Sequence, residues 1–429
     1  MSLPSLDDIA AQLAGYDANA LPVAQAQAFI AKLVPKVKAV EVLAIRSALG
    51  RVLARDIVSP IDVPSHDNSA MDGYALRSAE LTSEGDTLIG VAGTAFAGAQ
   101  FGQSVAAGQG VRIMTGAVMP AGLDTVVPQE FTTTDADGRI RIAAGTVRAG
   151  DNRRLRGEDL ARGDAALPAG RILSPADLGL LASLGQAEVP VFRRLRVAFF
   201  STGDELRSIG QPLDEGCVYD SNRYTIWGML QRLGVEVIDM GVVRDDPDAL
   251  REAFSQAAAC ADAVITSGGV SVGEADHTKQ VMKQLGEVLF WKIAMRPGRP
   301  MAIGRIGEPA GHQAMLFGLP GNPVAVMVTF YAFVRDALLA MSGATPAPLP
   351  LLRAVSTEAL RKKPGRTEFQ RGIVSQAQDG RWQVRITGAQ GSGILRSMSE
   401  ANGMVVLHHG QGSVAAGELV DVMPFNGLV

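Results

Sequence analysis

The chain has 429 residues, which at about 150 residues per domain suggests roughly three domains. With 47% hydrophobic and 20% charged residues it has enough apolar material for several cores, which excludes bulk disorder. A net charge of −4 and a pI of about 5.8 argue against a nucleic-acid coat or a membrane-surface protein, and Cys217 and Cys260 alone can build neither a disulfide framework nor a Cys-based zinc site.

The first fifty residues read as helical. Ser5, followed by Asp7 and Asp8, resembles a helix start. Pro22 opens a second helical stretch, and residues 40–53 a third, with Ala48, Leu49, Val52 and Leu53 at helical spacing. No Lys or Arg precedes Lys32, so a secretory leader is not expected and the location is expected to be cytoplasmic. After Asp56 short β-branched runs alternate with Gly and Pro (87–91, 110–114, 125–127, 140–142), the pattern of a small all-β insert. Helix returns at Ser174-Pro175, an N-cap followed by Pro at the first helical position, and Gly185 stops it.

Between 193 and 343 strands alternate with helices. Strands are expected at 195–200, 235–239, 263–266, 288–293, 301–303 and 315–317. Helices fall at 221–233, after the Asp246-Pro247 cap, and at 276–285. This order implies a doubly wound parallel sheet. The most apolar run, 324–334, is too short to cross a bilayer and is closed by Arg335 and Asp336. ATPAPLP (344–350) is a linker, and the alternating runs beyond it suggest a small β-barrel or sandwich. The expected domains are a split helical N-terminal part (1–55 and 160–192), a β-rich insert (56–159), the α/β domain (193–345) and the C-terminal β domain (346–429).

In an open parallel sheet ligands sit beyond the carboxyl ends of the strands. Those loops carry Asp204 and Glu205; Asp245; Ser267, Gly268, Gly269, Ser271 and Gly273, then Glu274, Asp276 and Lys279; and Pro320 and Asn322. The glycine-rich loop at 267–273 suits an anion, with Lys279 close behind, or is simply a tight strand–helix turn. Hard carboxylates beside an anion loop suit Mg²⁺, with Glu205, Asp245 and Asp276 as candidate ligands; Asp246, before Pro247, reads as a helix cap. Lys292, Arg296 and Arg299 surround a Pro-Gly turn in which Pro297 and Pro300 forbid helix, so the cations are held, as an oxyanion clamp or as an ordinary basic loop. In the insert, Asp67 and Thr115 stand in segments dense in polar groups, although turn chemistry explains Asn68 and Gly73 equally well. His66 and His408-His409 read as structural, the methionines as core, and neither cysteine has a basic neighbour that would activate it.

Eight motifs occur in order: DNSAMDGYA (67–75), RIMTGA (112–117), RRLRGED (153–159), STGDEL (201–206), YDSN (219–222), RDDP (244–247), SGGVSVGEADHTK (267–279) and LPGNPV (319–324). Together they resemble the MoeA family of molybdopterin molybdenumtransferases, which includes the E domain of gephyrin. The resemblance implies a multidomain α/β plus all-β protein: a split helical part with a β insert, a MogA-like α/β domain, and a C-terminal β-barrel. It further implies a homodimer with sites at the subunit interface. The implied reaction inserts molybdate into the dithiolene of adenylated molybdopterin and releases AMP, with Mg²⁺ (Zn²⁺ is also invoked). The implied transient partners are a MogA-type adenylyltransferase and molybdoenzymes.

Asp67, Thr115, Arg154 and Asp159 match family positions in the insert. Glu205, Asp245 and Asp276 match the acids of the pterin and metal pocket, and Lys292 and Arg296 match its cations. Some relatives carry Lys at 296 and 299, where this chain has Arg. They often have Asp-Tyr where it has Asp276-His277. Ser392 matches a serine near the partner's site, with Ser397 a competitor. Two rivals are a gephyrin-like scaffold and an adenylating enzyme. The first is disfavoured by the absence of an appended partner domain, the second by the three domains beyond the α/β unit.

Overall fold

The computed structural model describes residues 5–13, 15–270, 276–308, 311–347 and 349–425; the side chain of Asp276 lies outside the description. The α/β domain is built on six strands: β1 (Arg196–Thr202), β2 (Glu236–Val243), β3 (Ala263–Ser267), β4 (Gly286–Lys292), β5 (Pro300–Gly307) and β6 (Gln313–Leu319). Their order is β2-β1-β3-β6-β5-β4. β2, β1, β3 and β6 are parallel, but β5 runs antiparallel to both β6 and β4. The fully parallel sheet expected from the alternating pattern thus ends in a hairpin edge. The links from Lys292 to Pro300 and from Gly307 to Gln313 are too short for the crossover a parallel pair requires.

Period-2 alternation along β1 divides the core. Val197 and Phe199 join the cluster that holds Ile226 and Leu230 of α1 (Ser221–Arg232). Ala198 and Phe200 join the opposite cluster, with Leu250 and Phe254 of α2 (Pro247–Cys260) and Val281 and Met282 of α3 (Asp276–Leu285). The sheet is therefore covered on both faces, as a doubly wound sheet must be. The apolar run at 324–334 lies in a longer helix, α4 (Pro323–Met341), with a π-helical turn at Phe330–Val334. Its 19 residues would span a bilayer, but 72% of the apolar window is buried inside the protein, so it is a core helix.

Residues 40–53 are not helical. Val40–Ala44 is a strand paired antiparallel with Glu188–Phe192, followed by a short 3-10 turn at Ile45–Ala48. The β-branched Val40 and Val42 fit the pleat, and the cross-strand partner overrides the weak helical spacing. The other N-terminal signals form as read. Ser5 caps Leu6–Ala11, and Ser174 and Asp177 form a capping box on Pro175–Ser183. The insert is a six-stranded sheet with its own core of Ala75, Val111, Ile113 and Val126. The C-terminal domain is a closed barrel, because Thr367–Gln376 pairs with both Trp382–Ile386 and Gly403–Leu407. Met295–Arg296 pairs with Thr367–Glu368, and the Thr367 amide donates to Ala294 O at 2.9 Å, which joins barrel to α/β domain.

Asp262 fastens the entry to β1. It accepts from Arg193 at 2.7 and 2.8 Å and from the Arg196 amide at 2.8 Å. Burial pushes its carboxyl up, but the Arg193 guanidinium and the Arg196 N–H outweigh this and hold it below the usual carboxylate range. Its contribution is complete above the ordinary carboxyl pKa and is lost as pH falls through the lowered folded value. Asp262→Ala is expected to cost about 2 kcal/mol at neutral pH by denaturant titration, with the gap to wild type closing in acid.

Candidate functional site

A cleft of about 990 Å³ opens at the carboxyl ends of β1 and β6, between the α/β domain and the barrel. Its acidic side is Glu205, from the loop after β1, and Asp220, at the cap of α1. Its cationic side is Arg296 and Arg299, from the turn between β4 and β5, and Arg366 from the barrel. Pro320 and Asn322 follow β6 and form the floor, while Gln390, Gly391 and Ser392 bring in the barrel's wall. Pro297 and Gly298 are buried whereas Arg296 and Arg299 are exposed, and the Ile293 amide donates to Arg299 O at 2.7 Å. The cation turn is thus held by its backbone.

The glycine loop packs behind this cleft. Asn222 Nδ2 donates to Ser267 Oγ at 2.8 Å and to Gly321 O at 2.6 Å, tying α1, the loop after β3 and the loop after β6 together. A Cβ on Gly268 would stand 2.6 Å from Thr202 O, and one on Gly269 would stand 2.7 Å from Thr278 Cγ2. Both residues have positive φ, so close packing and backbone conformation together demand glycine there. Ser271 and Gly273 lie outside the described residues. Buried polar atoms without a partner gather along this sheet edge: Ser201 Oγ, Thr266 Oγ1, Asp220 Oδ2 and Asn222 Oδ1. Such atoms are rare in folded proteins and each needs an explanation.

The barrel wall has a buried cation behind it. Arg371 is fully buried. Its guanidinium donates to Ser397 Oγ at 2.9 Å, Gly391 O at 2.9 Å, and Gln390 O and Ala389 O at 3.3 Å. Burial first, and then the charge of Arg296, lowers its pKa to about 10. Arg371 therefore shapes the loop that carries Ser392. Ser397 is spent on this packing, while Ser392 reaches the cleft.

The other expected site residues lie elsewhere. Asp245 Oδ1 accepts from Thr278 Oγ1 at 3.3 Å, which ties it to α3. Lys292 ends β4, its amide donating to Ala18 O at 2.7 Å, and Lys279 lies on α3; neither lines the cleft. Among the described residues no three His, Cys, Asp or Glu side chains form a group that could hold a metal. In the insert, Asp67 accepts from the Arg156 amide at 2.8 Å and stands 3.8 Å from Arg153 Nε. Thr115 donates its amide and its hydroxyl to Asp72, each at 2.7 Å, which holds the Asp72 carboxyl below its usual range. Arg154 pairs with Glu158 at 3.4 Å, and Asp159 is exposed. No insert residue lines the cleft of its own chain.

Comparison with known proteins places this architecture. Residues 21–185 match the MoeA N-terminal region (domain I and II), 198–340 a probable molybdopterin binding domain, and 353–425 the MoeA C-terminal region (domain IV). A molybdopterin molybdenumtransferase of Haemophilus influenzae is 43% identical over 95% of this chain and 100% of its own length. The chain belongs to the MoeA family. A molybdopterin molybdenumtransferase of Nostoc is 37% identical over 92% of this chain and 91% of its own. The crystal structure of a molybdopterin biosynthesis MoeA protein from Pyrococcus horikoshii OT3 superposes with a TM-score of 0.80 at 27% identity, covering 95% of this chain and 100% of that one.

In this MoeA chain the fold gathers ten of the expected site residues into two sets. Glu205, Arg296, Arg299, Pro320, Asn322 and Ser392 share the cleft. Asp67, Thr115, Arg154 and Asp159 share the insert. Sequence reasoning does not single out Asp220 and Asn222, which line the cleft, beyond their place in the YDSN motif. It also passed over Arg366 and Arg371, whose signal was the charge density of GRTEFQR in a segment otherwise patterned as a strand.

Proposed function

We propose that this MoeA chain is a molybdopterin molybdenumtransferase: it inserts molybdate into the dithiolene of adenylated molybdopterin and releases AMP. The observation that carries this reading is one cleft with a cationic end of Arg296, Arg299 and Arg366 and an acidic end of Glu205 and Asp220. The arginines suit a tetrahedral dianion and the phosphates. Asp220 Oδ2 and Asn222 Oδ1, buried and unpaired, suit the donor-rich edge of a pterin. As the two dithiolene sulfurs bind molybdenum, a displaced oxygen leaves as water with the two thiol protons, and attack of a second water on the phosphoanhydride separates AMP from the pterin phosphate. The arginines hold the oxyanion beside the sulfurs, and the Ser392 loop closes the barrel side. Incubation of purified protein with adenylated molybdopterin and molybdate tests this: AMP and a cofactor that activates an apo-molybdoenzyme are expected, and absence of both overturns it.

A divalent ion fits only in one mode. With no three-carboxylate group among the described residues, Mg²⁺ would be held in the cleft by Glu205 together with substrate phosphates; of the other two expected ligands, Asp245 does not line the cleft and the Asp276 side chain lies outside the described residues. Among the described residues no His or Cys ligand set there could hold Zn²⁺. When bound, Mg²⁺ neutralises phosphate charge. Chelation is expected to abolish AMP release and added Mg²⁺ to restore it; full turnover after exhaustive chelation would refute this.

We propose a second subunit to account for the insert set. Asp67 and Thr115 do not line their own cleft, so we assign them to the cleft of a partner in a homodimer. A MogA-type adenylyltransferase supplies the substrate in this reading, and molybdoenzymes take the product. A cytoplasmic location accords with two free cysteines, Cys217 and Cys260.

A further inference from the structure

Behind the cationic end of the cleft lies a carboxylate that simple electrostatics would not place there. Glu368 is 3% exposed. Its Oε1 accepts from Arg366 Nε at 2.8 Å and stands 2.6 Å from Arg366 Nη2 in the same ion pair. Its Oε2 accepts from Gln370 Nε2 at 3.2 Å. In the junction between the domains, Glu368 is the register partner of Arg296. A negative charge so close to a site for anions weakens their binding by Coulomb's law. Its burial is costly unless it is paired and hydrogen-bonded. The same ion pair has a fixed half and a free half: the carboxylate is buried, whereas the Arg366 side chain is 40% exposed and reaches the cleft.

We propose that Glu368 is a positioning residue for molybdate: anchored by Gln370, it fixes the Arg366 guanidinium so that its Nη1 edge is presented to the oxyanion. An arginine arm unrestrained in solvent must lose rotamer freedom when an anion binds. One already clamped on its Nε and Nη2 side has lost that freedom during folding, and a preorganised donor binds more tightly. Positioning and charge have opposite signs here, so they are separable. Removing the carboxylate strengthens molybdate binding if Glu368 acts only as a negative charge. It weakens binding if Glu368 acts by orienting Arg366.

The inference rests on the reading of the cation cluster as the molybdate site, and equilibrium dialysis of full-length protein with molybdate tests the two apart. Glu368→Met removes the acceptor while filling the volume. It is expected to weaken binding about tenfold, and Glu368→Gln, whose carbonyl still accepts from Nε, by less. Arg366→Ala is expected to weaken binding to a similar degree. In the double variant, Glu368→Met is expected to add nothing to Arg366→Ala, because it acts through that side chain. Binding as tight as wild type or tighter in Glu368→Met overturns the proposal, as does a full additional loss in the Arg366→Ala background. Should Glu368→Met fail to fold by thermal melting, Gln370→Met loosens the same carboxylate. It is expected to weaken binding twofold to threefold with Arg366 present and not at all without it, and the opposite pattern overturns the proposal. If Arg296→Ala also binds molybdate as wild type does, the reading of the cluster fails. If Arg296→Ala loses binding and Glu368→Met does not, only the role of Glu368 fails.

Discussion

Arg296→Ala is expected to raise the molybdate concentration for half-maximal cofactor formation about a hundredfold while leaving the fold intact. The side chain is exposed to the cleft, so its loss opens no core cavity. The turn survives, because Met295–Arg296 keeps its backbone pairing with Thr367–Glu368 and Pro297 stays buried. What disappears is a guanidinium within electrostatic reach of Arg371, at the end of the cleft where Arg299 and Arg366 also converge. Clustered cations repel one another in a partly desolvated cleft, and an anion relieves that strain. The loss is therefore specific for the dianion, and affinity for the pterin should change much less. Arg296→Lys keeps the charge but not the planar fork, and is expected to lose about fivefold. Titration of molybdate against AMP release at saturating adenylated molybdopterin checks both, and an unchanged requirement in Arg296→Ala would make the turn a structural feature.

The α/β domain was legible because its signals are local. Continuous apolar strands, the Asp246-Pro247 cap, and Gly234 after α1 each act within a few residues. The hairpin edge was not, since strand direction depends on which neighbour is chosen, and only loop length hints at it. Residues 40–53 misled because their helical spacing was real but weak, and a strand distant in sequence, Glu188–Phe192, decided the outcome. In the site, Arg296 and Arg299 were legible through the prolines that fix them. Arg366 and Arg371 were not, because a strand pattern shows which face is covered, not that the covering is another domain's cleft. The glycine loop shows a further limit. Its glycines were read as an anion cradle or a tight turn, and at Gly268 and Gly269 contact with Thr202 and Thr278 accounts for them without any ligand.

The division of site residues between cleft and insert carries the second large expected effect. Asp67→Ala and Glu205→Ala are each expected to abolish cofactor formation as homodimers. Both stand in polar loops, so both variants should remain folded and dimeric. If a site takes Glu205 from one subunit and Asp67 from its partner, a mixed dimer contains one site with both residues and one with neither. Random exchange makes half of the dimers mixed, and half of their sites are intact, so about a quarter of wild-type activity should return. If both residues served the same subunit's cleft, every site in a mixed dimer would lack one of them, and mixing would restore nothing. Subunit exchange under mild denaturant, followed by AMP release measured against the unmixed variants, separates the two arrangements. A monomer by light scattering at working concentration would remove the premise. In that case the Asp67 and Thr115 cluster would need a role within the insert itself, where Asp67 already holds the Arg156 amide and Asp72 already holds Thr115.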